Sequence, residues 1–317
     1  MDHLRSLLVV ILVCGMLTGC SRNEPLRVAV PPWIGYETLF LARDFGWLSH
    51  DVVLLESGSP DGAEEALTSG QVDAAALTLE EVLLARSNGL DLSAVLVFNV
   101  SAGGDALLAR PQIGSLKALR GTRVGLAPSA LASLLLSRAL ASAGLGLDDV
   151  QQVPLPINEQ LAAWRAGRID ALVVYAPFSE GFVAEGAVRL FDSSEMPDAI
   201  FDVLAVRRHA LKRQQLETLI EAHFRGLEHL RTSREDALYR IAARRSVPVA
   251  AVRASLAGVS LPDLARNRMV LLPGSIAEHA ARSINRLMVS LEMLPQSDTL
   301  DRLFDPRIVS YLREPSL

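Results

Sequence analysis

An α/β fold of two similar lobes with added C-terminal helices is what this sequence predicts, on three observations. Segments of strand and helix character alternate from Leu26 to Val206. One pattern occurs twice, as SGQVDAAALTLEE at 69–81 and AGRIDALVVYAPF at 166–178: glycine, a polar residue, a β-branched one, Asp, Ala, then an apolar run. Beyond Leu211 the periodicity turns helical. The 317 residues, half of them hydrophobic, are enough for one large core or two ordinary ones.

In the first region, 26–30 reads as a strand, 31–35 as a loop and 36–45 as a helix with Gly46 beyond its end. A second strand covers 51–55. Asp61 can start a helix that Gly70 stops, and 72–77 is an apolar strand of the kind buried on both faces. Thr78 and Glu81 form a Thr-x-x-Glu capping box, opening a helix that ends near Gly89, and 92–100 is a further strand. This alternation argues for βαβ units and a mixed, mostly parallel sheet in each lobe.

The second region repeats the grammar. Strands are expected at 106–109, 123–126, 153–155 and 169–175, with a short helical turn between the first two. Ser129 is a good N-cap for an apolar helix that Gly144 terminates, and AGLGLDD at 143–149 is a helix stop and a turn. Asn158 can cap a helix through Ala166 that Gly167 stops. A strand at 200–206 returns the chain to the first lobe beside the earlier crossover at 101–107. From 211 to 294 helices dominate: Ser233 with Asp236 caps one, Pro248 starts another and Ser275 caps a long one. Its Ile276, Ala280, Ile284, Leu287, Met288, Leu291 and Leu294 follow helical spacing and read as core. His223 and His229 read as surface residues.

Composition narrows the function. A net charge of −5 without clustered Lys and Arg argues against a nucleic-acid partner. No two histidines stand at the i, i+4 spacing of a helical metal pair, and no Gly-x-Ser-x-Gly, phosphate-loop or dinucleotide pattern appears. No catalytic residue, metal or cofactor is expected, and the chain is expected to be a monomer.

The first twenty residues stand apart. Arg5 precedes an apolar run at 7–13, and the segment ends Leu17-Thr18-Gly19-Cys20. This resembles a bacterial lipoprotein signal, with LTGC as its lipobox. The resemblance implies cleavage before Cys20 and acylation of that residue, each buried CH₂ contributing about 0.8 kcal/mol to membrane anchoring. Cys14 then leaves with the signal, and the mature chain has no free thiol.

The doubled pattern has a physical reading. Each time a helix ends on glycine, a tight turn carries Asp, and an apolar strand delivers polar or aromatic residues to a sheet edge. Ligands of open α/β sheets bind beyond the carboxyl ends of strands, so two such edges facing each other make a cleft.

The stretches WIGYETLFLARDFGWL, LTSGQVDAAALTLEE, SAGGDALLARPQIGSLKALRGTRVGL, AGRIDALVVYAPF and LFDSSEMPDAIFDVLAVR run in order through 28–207. Together with the lipobox they resemble the type II periplasmic substrate-binding lipoproteins of ABC transporters, in the nitrate, sulfonate, taurine and pyrimidine-precursor group. The resemblance implies two lobes joined by two crossover hinge strands, a small molecule trapped between them, and delivery to an ABC permease and ATPase. On that plan 1–19 is the signal, 20–25 a tether, 26–103 the first part of lobe I, 104–200 lobe II and 201–317 the rest of lobe I. The place implied is the periplasm, lipid-anchored to a membrane through Cys20.

Asking which loops face the cleft yields the candidate ligand-binding residues. Trp33, Gly35 and Tyr36 follow the first strand as an aromatic wall, or pack on their own lobe. Thr78 and Glu80 end the first echoed strand, where Glu80 either contacts ligand or favours the helix dipole. Ser101, Gly104 and Asp105 occupy the first crossover, and Ser129 offers a helix N-terminus. Tyr175 and Pro177 form the opposing wall, with Asp192 and Asp202 around the return crossover. Four of these are acids and none is arginine, which disfavours an anion and favours an amine, amidine or donor-rich heterocycle. A sensor lipoprotein partnering a membrane-bound kinase or cyclase is the alternative. An enzyme ranks third, since relatives of this fold that make the thiamine pyrimidine use cysteine.

Overall fold

The computed structural model describes residues 24–58, 60–197, 199–210 and 212–313. The expected signal and the acylation site at Cys20 lie outside the described residues.

In the first lobe β1 (Leu26–Val30), β2 (Val52–Glu56), β3 (Ala74–Thr78) and β4 (Leu92–Ser101) are built first. The second holds β5 (Asp105–Ala109), β6 (Arg123–Leu126), β7 (Gln151–Pro154), β8 (Ala171–Tyr175) and β9 (Val188–Asp192). The chain then returns through β10 (Phe201–Arg207) and adds the short β11 (Val259–Ser260). Two separate sheets result, ordered β11-β4-β10-β3-β1-β2 and β7-β6-β8-β5-β9. Among the described strands, the parallel pairs are β1 with β2 and β3, and β6 with β7 and β8. The pairs made by β5 and β10 are antiparallel because these strands enter their sheets from the opposite lobe, and β11 also runs antiparallel to β4, so the parallel share is smaller than the alternation predicts. This is the two-lobed architecture expected from the sequence.

The doubled pattern is one device used twice. In the first lobe the Asp73 carboxylate accepts the N–H of Arg27 at 2.9 Å while Asp73 N–H donates to the Arg27 carbonyl at 2.9 Å. In the second, Asp170 accepts the N–H of Arg123 at 3.0 Å and donates its own N–H to the Arg123 carbonyl at 2.8 Å. Each aspartate ties its turn to the first residues of the neighbouring parallel strand, satisfying backbone groups that the ladder does not reach.

Burial on both sheet faces explains the apolar runs. Along β5, Leu107 and Ala109 join one cluster while Ala106 and Leu108 join another, as the two-residue strand period requires. The first-lobe core also takes in Ala130 and Ala176 from the second lobe. The lobes therefore touch.

Several local expectations are corrected. The N-cap of helix Ile157–Arg165 is Pro156 and not Asn158. Ser233 makes no side-chain cap bond; Asp236 is held instead by His229 and Arg240, each at 2.8 Å. Helix Ile276–Ser290 buries Ala277, Ala280, Ala281, Ile284 and Met288, while Ile276 is 37% exposed. Strand β9 was not foreseen, because as an edge strand it buries only Phe191. His223 is wholly buried, not at the surface: its Nδ1 lies 2.7 Å from Thr38 Oγ1, and burial pushes its pKa down to about 3. It sits where helix Arg213–Thr232 crosses helix Glu37–Asp44 at Gly226, whose Cβ would come 2.1 Å from the Thr38 carbonyl oxygen.

Candidate functional site

Strand register brings the chemistry to one place. Asp202 on β10 stands opposite Thr78 at the end of β3, and Asp105 on β5 stands opposite Tyr175 at the end of β8. The loop after β1 contributes Trp33 and, from a short 3₁₀ turn, Tyr36. Between the lobes lies a cavity of about 480 Å³, lined by Gly58 and Glu81 from the first and by Asp105, Ala127, Ser129, Leu131, Ala132, Pro156, Ile157, Asn158 and Tyr175 from the second. Beside it a space of about 40 Å³ is bounded by Pro31, Pro32, Trp33, Tyr36, Thr78, Ile200 and Asp202, and shares Glu81, Asp105, Leu131 and Tyr175. Trp33 meets Tyr175 edge to face across the gap, ring centres 5.9 Å apart. This volume suits a small metabolite.

The floor is acidic. Thr78 accepts the Glu81 N–H at 3.3 Å and Glu81 Oε2 accepts the Thr78 N–H at 2.8 Å, which completes the capping box. Tyr36 donates its hydroxyl to Asp202 at 2.5 Å. Burial raises the Asp105 pKa to about 6, against a lowering hydrogen bond from Ser101. Burial also raises Asp202 well above the carboxylate range, with the charges of Asp105, Glu81 and Glu80 adding to it. Glu80 is fully buried, and both carboxylate oxygens lack a hydrogen-bond partner of ordinary geometry. Its pKa rises to about 8, first through burial and also through the charges of Glu81 and Asp105, against lowering contacts with its own backbone N–H and the Thr78 hydroxyl. Among the described residues, no Arg or Lys lines either space.

Ser193 helps tie the crossovers together through its hydroxyl. Ser193 Oγ lies 2.7 Å from Ser101 Oγ and accepts the N–H groups of Gly103 at 2.7 Å and Asp105 at 3.4 Å. Ser101 N–H also donates to the Ile200 carbonyl at 2.9 Å. Gly103 adopts φ of 114°, which other residues rarely reach.

Of the residues named from sequence, the fold gathers Trp33, Tyr36, Thr78, Asp105, Ser129, Tyr175 and Asp202 around the cavity. Gly35 and Gly104 lie behind Trp33: a Cβ on Gly104 would come 2.6 Å from its ring, and one on Gly35 2.0 Å from Asn99 Nδ2. Asn99 in turn accepts the Trp33 indole N–H at 3.1 Å. Ser101 belongs to the crossover, and Glu80 is enclosed within the acid cluster. Pro177, after the cis Ala176–Pro177 bond, is not a lining residue. Nor is Asp192, which accepts from Arg189 at 3.0 Å and from Ser194 N–H at 2.9 Å. Sequence reasoning missed Glu81 as a lining residue, seeing only its capping role, and missed Leu131, Pro156, Ile157 and Asn158. The signal available was their position in first helical turns that follow strands β6 and β7.

The sequence profile of the NMT1-like family matches residues 20–244. A protein of Escherichia coli K12 named for aliphatic sulfonate binding is 26% identical over 196 residues, which is 61% of this chain and 61% of that protein's length. The chain's match thus spans less than two thirds of that relative. The crystal structure of the periplasmic aliphatic sulphonate binding protein SsuA from Escherichia coli superposes with a TM-score of 0.75 at 18% identity, covering 91% of this chain and 99% of that one. The desulfurization enzyme DszB, as a variant in complex with biphenyl-2-sulfinic acid, superposes with a TM-score of 0.66 at 17% identity over 90% of this chain and 98% of that one. At such identities the superpositions establish the fold.

Proposed function

The chain belongs to the NMT1-like family, and from that membership we propose that it is an extracytoplasmic solute-binding protein that captures a small organic ligand between its lobes. The observation that carries this reading is the cavity of about 480 Å³ lined from both lobes. Ligand that contacts both halves stabilises the closed arrangement over the open one by its differential affinity. Closure then presents a joint surface that a membrane permease and its ATPase can recognise. Cys20, acylated after cleavage of residues 1–19, holds the domain at the membrane on the periplasmic side. The cleft residues serve binding, not bond-making. Trp33 and Tyr175 offer ring faces, Ser129 the N-terminus of helix Ala130–Ser142, and Asp105 and Asp202 carboxyl groups.

A thermal-shift screen of the purified protein against small metabolites tests the reading. A ligand at a hundred times its dissociation constant stabilises the protein by about 2.7 kcal/mol, a shift of several degrees. A screen and a mass-spectrometric search for co-purified compounds that both return nothing would count against it. Mass spectrometry of the mature N-terminus tests the anchor: an unmodified Cys20 removes it.

A further inference from the structure

The charge of the cleft points to a ligand class, and this inference rests on the binding-protein reading above. Glu81 and Asp105 line both the cavity and the space beside it, and Asp202 joins them in the latter. Behind them is a wholly buried carboxylate, Glu80, with no hydrogen bond of ordinary geometry and close enough to Glu81 and Asp105 for their charges to act on it. Three features of opposite sign face this group. The helices Leu79–Ser87, Ala130–Ser142 and Ile157–Arg165 begin at the two spaces with Thr78, Ser129 and Pro156, and each N-terminus is equivalent to about half a positive charge. Ser129's own oxygen already accepts the Ala132 N–H at 3.2 Å. About one and a half positive charges do not outweigh the two carboxylates of Glu81 and Asp105. No three His, Cys, Asp or Glu among the described residues converge as a metal site.

We propose that the cleft selects a small organic cation, an ammonium or amidinium group held by Glu81, Asp105 and Asp202 and stacked on Trp33 or Tyr175, and that it rejects sulfonates. A cation against these rings is favoured by their quadrupoles as well as by the carboxylates. Binding is linked to protons. The titratable groups facing Asp105 are Glu80 and Glu81 at the start of helix Leu79–Ser87, Asp202 on β10, Tyr36, and Tyr175 on β8. Cation binding lowers the Asp105 pKa and releases protons. Affinity therefore rises with pH through the Asp105 value of about 6.

Three molecules of one shape and different charge test this on the unmodified protein: benzamidinium, benzamide and benzenesulfonate, titrated calorimetrically at pH 7.5. Benzamidinium is expected to bind at least about tenfold more tightly than the other two, with proton release read from buffers of different ionisation enthalpy. The preference should shrink in Asp105→Asn and at pH 5. Tighter binding of benzenesulfonate would mean that the helix ends dominate, overturning the cation assignment while leaving the binding-protein reading in place. Equal affinities, or no binding of any of the three at millimolar concentration, overturn the assignment too. Small molecules released on denaturing the purified protein then report separately on whether it is a binding protein at all.

Discussion

Glu80 carries a cost that its neighbour Glu81 does not. The Glu81 carboxylate accepts the Thr78 N–H, whereas Glu80 is shut away from water with only poorly aligned contacts to the Thr78 hydroxyl and its own backbone N–H. Its pKa of about 8 in the folded chain lies above the usual 4.5, so between those values the folded state keeps a proton that the unfolded chain has lost. Its contribution to stability is fully present below about pH 4.5 and fades as pH rises toward 8, by up to about 1.4 kcal/mol for each unit crossed. Glu80→Gln should therefore stabilise the empty protein at pH 8 relative to pH 5 by on the order of 3 kcal/mol. Urea titrations at the two pH values measure this, and a variant whose pH slope matches that of the parent would refute it. The choice between Glu80 and Glu81 was not legible in the sequence: both sit in the first helical turn, and only rotation about the helix axis separates a cleft residue from an enclosed one. Trp33, Tyr36 and Tyr175 were legible, because they lie at a strand end or in the loop that follows one.

Among elements, the echoed turn is the clearest case of sequence specifying structure. Asp73 and Asp170 make the same pair of bonds in different lobes, each to the start of the neighbouring strand. Asp170→Ala leaves the half-buried Arg123 N–H without its acceptor and should cost about 1 kcal/mol, water screening most of what the exposed Arg123 side chain adds. Arg123 holds the Asp170 pKa below its usual value. The contribution is present above about pH 4 and lost as pH falls through the lowered pKa, so parent and variant should converge in strong acid. Denaturation at pH 7 and near pH 2.5 checks both parts. Glycine and aspartate punctuation made such βαβ units readable, since each marks a backbone group needing special geometry or a partner. Edge strand β9 carried no such mark. The His223 position escaped as well, because its burial depends on Gly226 letting two helices approach, a contact between elements far apart in sequence.

At the scale of the molecule the two lobes differ in continuity. All strands of the second sheet come from residues 105–192, whereas the first sheet needs β10 between β3 and β4. The C-terminal segment also pairs with β4, Ala94 N–H donating to the Leu303 carbonyl at 2.7 Å and Asp305 N–H to the Ala94 carbonyl at 2.9 Å. A fragment of residues 102–199 should fold cooperatively on its own, and one ending at residue 200 should leave the first lobe incomplete. Circular dichroism melts of the two decide this; a shapeless transition for the shorter piece would contradict it. The chain passes into and out of the second lobe through threads lying side by side, with Ser101 bonded to Ile200. That lobe is thus a cassette plugged into its host through one socket, and Asp105, Ser129, Asn158 and Tyr175 all travel inside it. Evolution can exchange most of the cleft in a single graft, leaving every strand of the host in its place.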